Sequence, residues 1–118
     1  MDTNDALDAF GALASPTRLD IFRALVSAEP EGISAGRVAE LLGGRQNTVS
    51  AHLAALSRAG LIVGERDGRT IVYRARMETV ASLVSFLLED CCGGRPEICR
   101  PVASALACLQ PAPSESRP

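Results

Sequence analysis

Three of the four cysteines in this 118-residue chain fall within nine residues, Cys91, Cys92 and Cys99 in the run EDCCGGRPEIC, and the ninety residues before them contain none. Thiolates are soft ligands and select soft ions. Neighbouring side chains on a helix diverge by about 100°, so Cys91 and Cys92 alone rarely converge on one ion. Gly93-Gly94 lets the chain leave a helix and turn, so that Cys99 can fold back and complete a three-thiolate site. Cys91 also continues an apolar stripe, and burial as a small hydrophobe is its alternative role. Cys92 and Cys99 have no such explanation. Cys108 stands apart in SALACLQ and reads as incidental, with a fourth ligand for cadmium or zinc as the alternative.

The elements that must carry these thiols follow from apolar spacing and punctuation. Ala6, Phe10 and Leu13 share one face of a short first helix. Ser15-Pro16 reads as an N-cap followed by Pro at the first helical position. Leu19, Phe22, Leu25 and Val26 form the stripe of the second helix, which Glu29-Pro30-Glu31-Gly32 ends. Ser34 caps a third, short helix with Val38, Leu41 and Leu42 inward, and Gly43-Gly44 breaks it. A fourth helix runs from about Gln46 to Ala59, with Val49, Leu53 and Leu56 inward and Gly60 as its stop. Two β-type runs, Leu61 to Arg66 and Thr70 to Ala75, flank the turn signal Asp67-Gly68. A last helix from about Arg76 carries Val80, Leu83, Val84, Leu87, Leu88 and Cys91 at helical spacing, and LQPAPSESRP has the composition of a disordered tail.

Bulk composition narrows the class. The chain is 47% hydrophobic but only 3% aromatic, so aliphatic side chains fill a thin core, of the kind that often finds the rest of its burial in a partner subunit. No apolar run reaches membrane-spanning length and the N-terminus is acidic, unlike a signal peptide. A cytoplasmic protein with reduced thiols is expected, and there cysteines serve metal binding or redox sensing more than structural disulfides. The net charge of −2 conceals a segregation: residues 1–32 carry −4, residues 33–76 carry +4, and residues 77–118 carry −2. Every basic residue is Arg, a side chain suited to phosphate and guanine, although a compositional bias explains the same fact.

Helix, short turn, helix and an Arg-edged hairpin, with the positive charge on that same segment, is the order of a winged helix-turn-helix. The outer face of the fourth helix is polar (Arg45, Gln46, Asn47, Thr48, Ser50), and short polar side chains reach base edges in a major groove. Arg66 and Arg69 flank the hairpin tip, where a wing meets phosphates or the minor groove. A polar surface helix or a DG hairpin alone is common; their order and charge together favour DNA.

SPTRLDIFRAL, ISAGRVAELLGGRQNTVSAHLAALSRAGLI and GERDGRTIVYRA resemble the ArsR/SmtB family of dimeric winged-helix repressors over about residues 5–92. The resemblance implies a mainly α, α+β fold of about five helices and one β-hairpin wing. It implies a homodimer formed through the first and last helices, with residues 1–92 as the DNA-binding and dimerisation domain and residues 93–118 as an extension bearing the thiol site. Gln46, Asn47, Thr48 and Ser50 would face double-stranded operator DNA. His52 would sit near a phosphate, and a half-buried structural role stays open for it. Metal-ligand positions known in the family as Cys-x-Cys in the third helix, or as Asp and His pairs on the last, are absent from AGRVAELL and METVASLVSF.

EDCCGGRPEIC is similar instead to arsenic-responsive members with two adjacent cysteines ending the last helix and a third a few residues on. This implies a repressor, not an enzyme, released from DNA when arsenic(III) binds Cys91, Cys92 and Cys99 as inducer, within one subunit or across the dimer. The alternatives keep the DNA module and change the input to antimonite, methylated arsenic, cadmium or thiol oxidation. A thiol metal carrier or redox enzyme is the reading of another class, disfavoured because an adjacent pair closes a helix here where Cys-x-x-Cys would open one.

Overall fold

The computed structural model describes residues 1–88 and 96–107, without the side chains of Gln46, Pro96 and Ala107. Contacts divide the chain into two units, Met1–Leu83 and Val84–Pro118.

The first unit begins with α1 (Thr3–Leu13), capped by Asp2, whose Oδ1 accepts from the Asp5 N–H at 2.8 Å. Ser15 then caps α2 (Pro16–Ser27) as its sequence signal predicts, accepting from the Arg18 N–H at 3.3 Å with Pro16 at the first helical position. A two-residue strand β1 (Ile33–Ser34) follows, and Ser34 caps α3 (Ala35–Leu42) through the Arg37 N–H at 3.2 Å. Helix α4 spans Gln46–Arg58, and β2 (Ile62–Asp67) and β3 (Thr70–Ala75) form the hairpin before α5 (Met77–Leu88).

The sheet order is β1-β3-β2, antiparallel throughout. Asp67 pairs with Thr70, so the hairpin loop is Gly68-Arg69, one residue later than the Asp67-Gly68 turn expected from the sequence. The strands run one residue deeper because a two-residue loop with Gly first suits the twist of a hairpin as well as Asp-Gly does. Arg76 N–H donates to the Leu61 carbonyl at 2.8 Å and Thr79 Oγ1 to the Gly60 carbonyl at 2.6 Å, which fasten the start of α5 to the hairpin base.

Val49, Leu53 and Leu56 are buried as their spacing predicts, together with Ile21, Phe22, Leu25, Val38, Leu61 and Ile62. Two expected core positions are corrected. Leu19 is 41% exposed and Ile21 is buried in its place; Leu41 is 52% exposed and Ala39 is buried. In both helices more than one apolar stripe fits the sequence, and tertiary packing, α2 against α1, α4 and β3 and α3 against α4, β1 and β3, selects the other. The α2 end is clasped to the sheet by Glu29, whose Oε1 accepts from Arg74 Nη2 at 2.9 Å and whose Oε2 accepts from the Ala75 N–H at 3.1 Å.

The second unit adds a helix that the apolar spacing does not announce, α6 (Pro96–Ala107). Pro96 opens it at a position where no N–H is needed, and Pro101 lies inside it. No described helix is long and apolar enough to cross a membrane.

Candidate nucleic-acid interface

Helices α3 and α4 are joined by Gly43-Gly44-Arg45, and the geometry of that turn aims α4. Gly43 adopts φ +63°, its N–H bonds to the Glu40 carbonyl, and the Gly44 N–H reaches back to Ala39 at 3.2 Å. This pair of bonds satisfies two of the carbonyls in the last turn of α3 and turns the chain sharply into α4. At the other end of α4 the Leu61 N–H bonds to the Leu56 carbonyl at 3.1 Å, and the two side chains are fully buried. The helix is therefore held at both ends and along its Val49-Leu53-Leu56 stripe.

At 100° per residue, the arc opposite that stripe is filled by Asn47, Ala51, Ala54 and Arg58, all exposed, with exposed Ser50 on one flank and exposed Thr48 on the other. Ala51 and Ala54 are small, so the helix backbone can come close to a partner surface. The N-cap is Arg45, exposed and without a side-chain hydrogen bond to the first turn. The open first-turn N–H groups and the helix dipole leave this end positive, a suitable place for a phosphate. Arg45, Asn47, Thr48 and Ser50 thus share one accessible end of α4; the Gln46 side chain lies outside the described residues.

The hairpin supplies the second element. Arg66 is exposed on β2 opposite Ile71, and Arg69 is exposed within the two-residue loop itself. Gly64 faces Tyr73 across the strands, and a Cβ at position 64 would lie 2.9 Å from the Tyr73 ring, so the ring covers bare backbone there.

A family model for a helix-turn-helix domain matches residues 13–65. The transcriptional regulator KmtR of Mycobacterium tuberculosis is 38% identical over 66% of this chain, and the chain spans only 58% of that relative's length. The regulator YgaV of Escherichia coli is 33% identical over 69% of this chain and 80% of its own. Among solved structures, the homodimeric winged helix-turn-helix DNA-binding domain Mb0332 of Mycobacterium bovis, a possible ArsR-family regulator, superposes with TM-score 0.61 at 29% identity over 74% of this chain and 81% of that one. The chain belongs to the ArsR/SmtB family. Another solved structure, a possible transcriptional regulator for arsenical resistance, superposes with TM-score 0.59 at 29% identity over 68% of this chain and 80% of its own.

In this ArsR/SmtB chain His52 is half-buried beside α2, its Nδ1 3.4 Å from Arg18 Nη1. Arg18 is not among the candidate residues that the sequence pattern singles out. It lies in the SPTRL segment of the family resemblance, yet only the fold shows that it meets α4. Of the thiols, Cys99 sits half-buried on α6, where Val102 is also half-buried and Ile98 is 41% exposed. Cys91, Cys92 and Cys108 lie outside the described residues, and among those described no three metal-ligating side chains converge.

Among the described residues, Glu29 and Arg74 have displaced titration. The hydrogen bond from Arg74 and its charge hold the Glu29 carboxyl below the ordinary carboxylate value, against the effect of burial, and the same pairing raises Arg74. Both lie at the hairpin base and serve the fold.

Proposed function

We propose that the protein is a transcriptional repressor that binds duplex operator DNA as a homodimer and leaves it when trivalent arsenic is captured by Cys91, Cys92 and Cys99. The observation that carries the DNA reading is the exposed set Asn47, Thr48 and Ser50 on the uncapped end of a rigidly anchored α4, with Arg66 and Arg69 exposed on the adjoining hairpin. In this reading α4 enters the major groove and reads base edges through short polar side chains. The hairpin is the wing, and its arginines neutralise phosphates. Homodimerisation is supported by the Mb0332 domain, which is homodimeric.

The inducer reading rests on thiol chemistry. Cys91 and Cys92 stand three and four residues after the last residue of α5 in the chain, and Cys99 is on α6. Trivalent arsenic takes three thiolates in a pyramid. Drawing the three together reshapes the end of α5, and if α5 packs in the dimer interface, the spacing of the two recognition helices changes. A coupling of ~1–3 kcal/mol between the two sites is enough.

The test is a fluorescence-anisotropy titration of the reduced protein on its own upstream DNA, with and without arsenite. Tight binding that is lost at stoichiometric arsenite, and retained by Cys99→Ser, supports the whole reading. Binding that ignores arsenite but responds to antimonite, cadmium or an oxidant replaces the inducer and keeps the repressor. Absence of binding refutes the repressor.

A further inference from the structure

Arg18 stands at the third position of α2 and makes two contacts that point away from its own helix. Its Nε donates to the Ala12 carbonyl at 2.6 Å, and its Nη1 lies 3.4 Å from Nδ1 of His52 on α4. Ala12 is in the last turn of α1, where carbonyls have no partner within the helix. Arg18 thus satisfies one of them and is anchored by it. The other charged groups lining the cleft beside Arg18 are Asp8 from α1 and Arg58 from α4.

The contact bears on the tautomer of His52. A guanidinium only donates hydrogen bonds, so the imidazole nitrogen facing it must offer a lone pair. In a neutral ring that accepts this bond at Nδ1, the single proton sits on Nε2, the nitrogen further from the backbone. His52 lies four residues after Thr48, hence on the same stripe of α4, one turn further from the helix start. A duplex whose bases meet the first turn of α4 runs its sugar-phosphate backbone past the turns behind it.

We infer that Arg18 is a positioning residue, which holds His52 as the neutral Nε2–H tautomer so that this proton is donated to a DNA backbone phosphate. This rests on the DNA reading given above. Arg18 itself does not touch DNA. Because the donor is neutral, it releases no counterion and strengthens binding without adding to its salt dependence.

Imidazole nitrogen–proton correlation spectra of the wild-type protein without DNA test the first half. A single His52 tautomer protonated at Nε2 is expected, and Arg18→Met, which keeps the stem and removes the donors, should mix the two tautomers. A wild-type ring protonated at Nδ1, or at both nitrogens near neutral pH, overturns the inference.

Anisotropy titrations on the protein's own upstream duplex and on an unrelated one test the second half. His52→Asn should weaken both by about tenfold, the value of a hydrogen bond to a charged group, with an unchanged salt slope. His52→Gln, whose amide N–H stands close to the Nε2 position, should recover most of the loss. Arg18→Met should weaken binding in the wild-type background and add nothing in the His52→Gln background. Equal losses in both backgrounds would mean that Arg18 acts only on the fold, and a lowered salt slope in His52→Asn would mean that His52 is a cation. If the wild-type protein binds neither duplex, the functional reading fails with the phosphate half, while the tautomer spectra still judge the role of Arg18.

Discussion

Replacing Gly32 by Ala puts two separable costs on one position. Gly32 holds φ +81°, and a Cβ added there would lie 2.6 Å from the Tyr73 carbonyl oxygen, 2.8 Å from Arg74 Cγ and 2.9 Å from Val72 Cγ1. The left-handed backbone costs an L-residue about 1–2 kcal/mol, and forcing a methyl into packed surroundings costs about 1–3 kcal/mol more. The Tyr73 carbonyl cannot retreat cheaply, since β3 is paired to β1 on one side and β2 on the other. A less flexible unfolded chain returns ~0.4–1 kcal/mol, which leaves a net loss of about 1–5 kcal/mol. Gly43→Ala is the control. Its φ is +63°, but nothing lies within 4 Å of the added methyl, so only the backbone cost of about 1 kcal/mol applies. Urea denaturation at one fixed protein concentration, followed by the helical circular dichroism signal, should place Gly32→Ala below Gly43→Ala by ~1 kcal/mol or more. That corresponds to at least about 4–8 °C in Tm for a domain of this size. Equal losses would refute the close approach of the α2–β1 link to the central strand.

Glu29→Gln should flatten the acid limb of the stability profile. The Glu29 carboxyl is held below its ordinary value of 4.5, so its stabilisation is fully present above that pH and is lost as pH falls through the lower folded value. Thermal melts from neutral pH to below 4.5 should show wild type losing more Tm than the variant, and parallel curves would refute the clasp. Leu56→Ala removes a fully buried side chain from the anchored stripe of α4 and should cost about 2–5 kcal/mol, read by the same urea titration. Arg66→Ala and Arg69→Ala should each weaken binding to upstream and unrelated DNA alike and lower the salt slope by about 0.9 for every phosphate that the arginine neutralises. A loss confined to one sequence would instead assign the arginine to base reading.

The helix-turn-helix is readable from the sequence because its signals are local and agree with one another. Ser15-Pro16 and Ser34 are caps, Val49, Leu53 and Leu56 give one consistent stripe, and Gly43 and Gly60 stop helices. Where only tertiary contact decides, the sequence is ambiguous. Ile21 and Leu19 are both apolar, and only the packing of α2 against α1, α4 and β3 decides that the first is buried. Strand β1 is two residues long and exists through its pairing with Val72 and Tyr73, which no local pattern announces. Helix α6 is hidden by its two prolines, which read as breakers although the first begins the helix. The accessible residues of α4 and the hairpin are visible as a polar face, whereas the Arg18–His52 contact joins positions 34 residues apart and needs the fold.

Position 64 has a consequence for how the hairpin can change over generations. With the Tyr73 ring lying 2.9 Å and the Ile71 Cγ2 3.0 Å from where a Cβ would stand, a side chain at that one site must displace the ring or the methyl. Its neighbours Val63, Glu65, Arg66 and Asp67 are all exposed, so substitutions there meet water and not a core. A lineage can therefore rewrite the charge of this strand, residue by residue, while a glycine under an aromatic ring preserves the shape on which each new pattern is displayed.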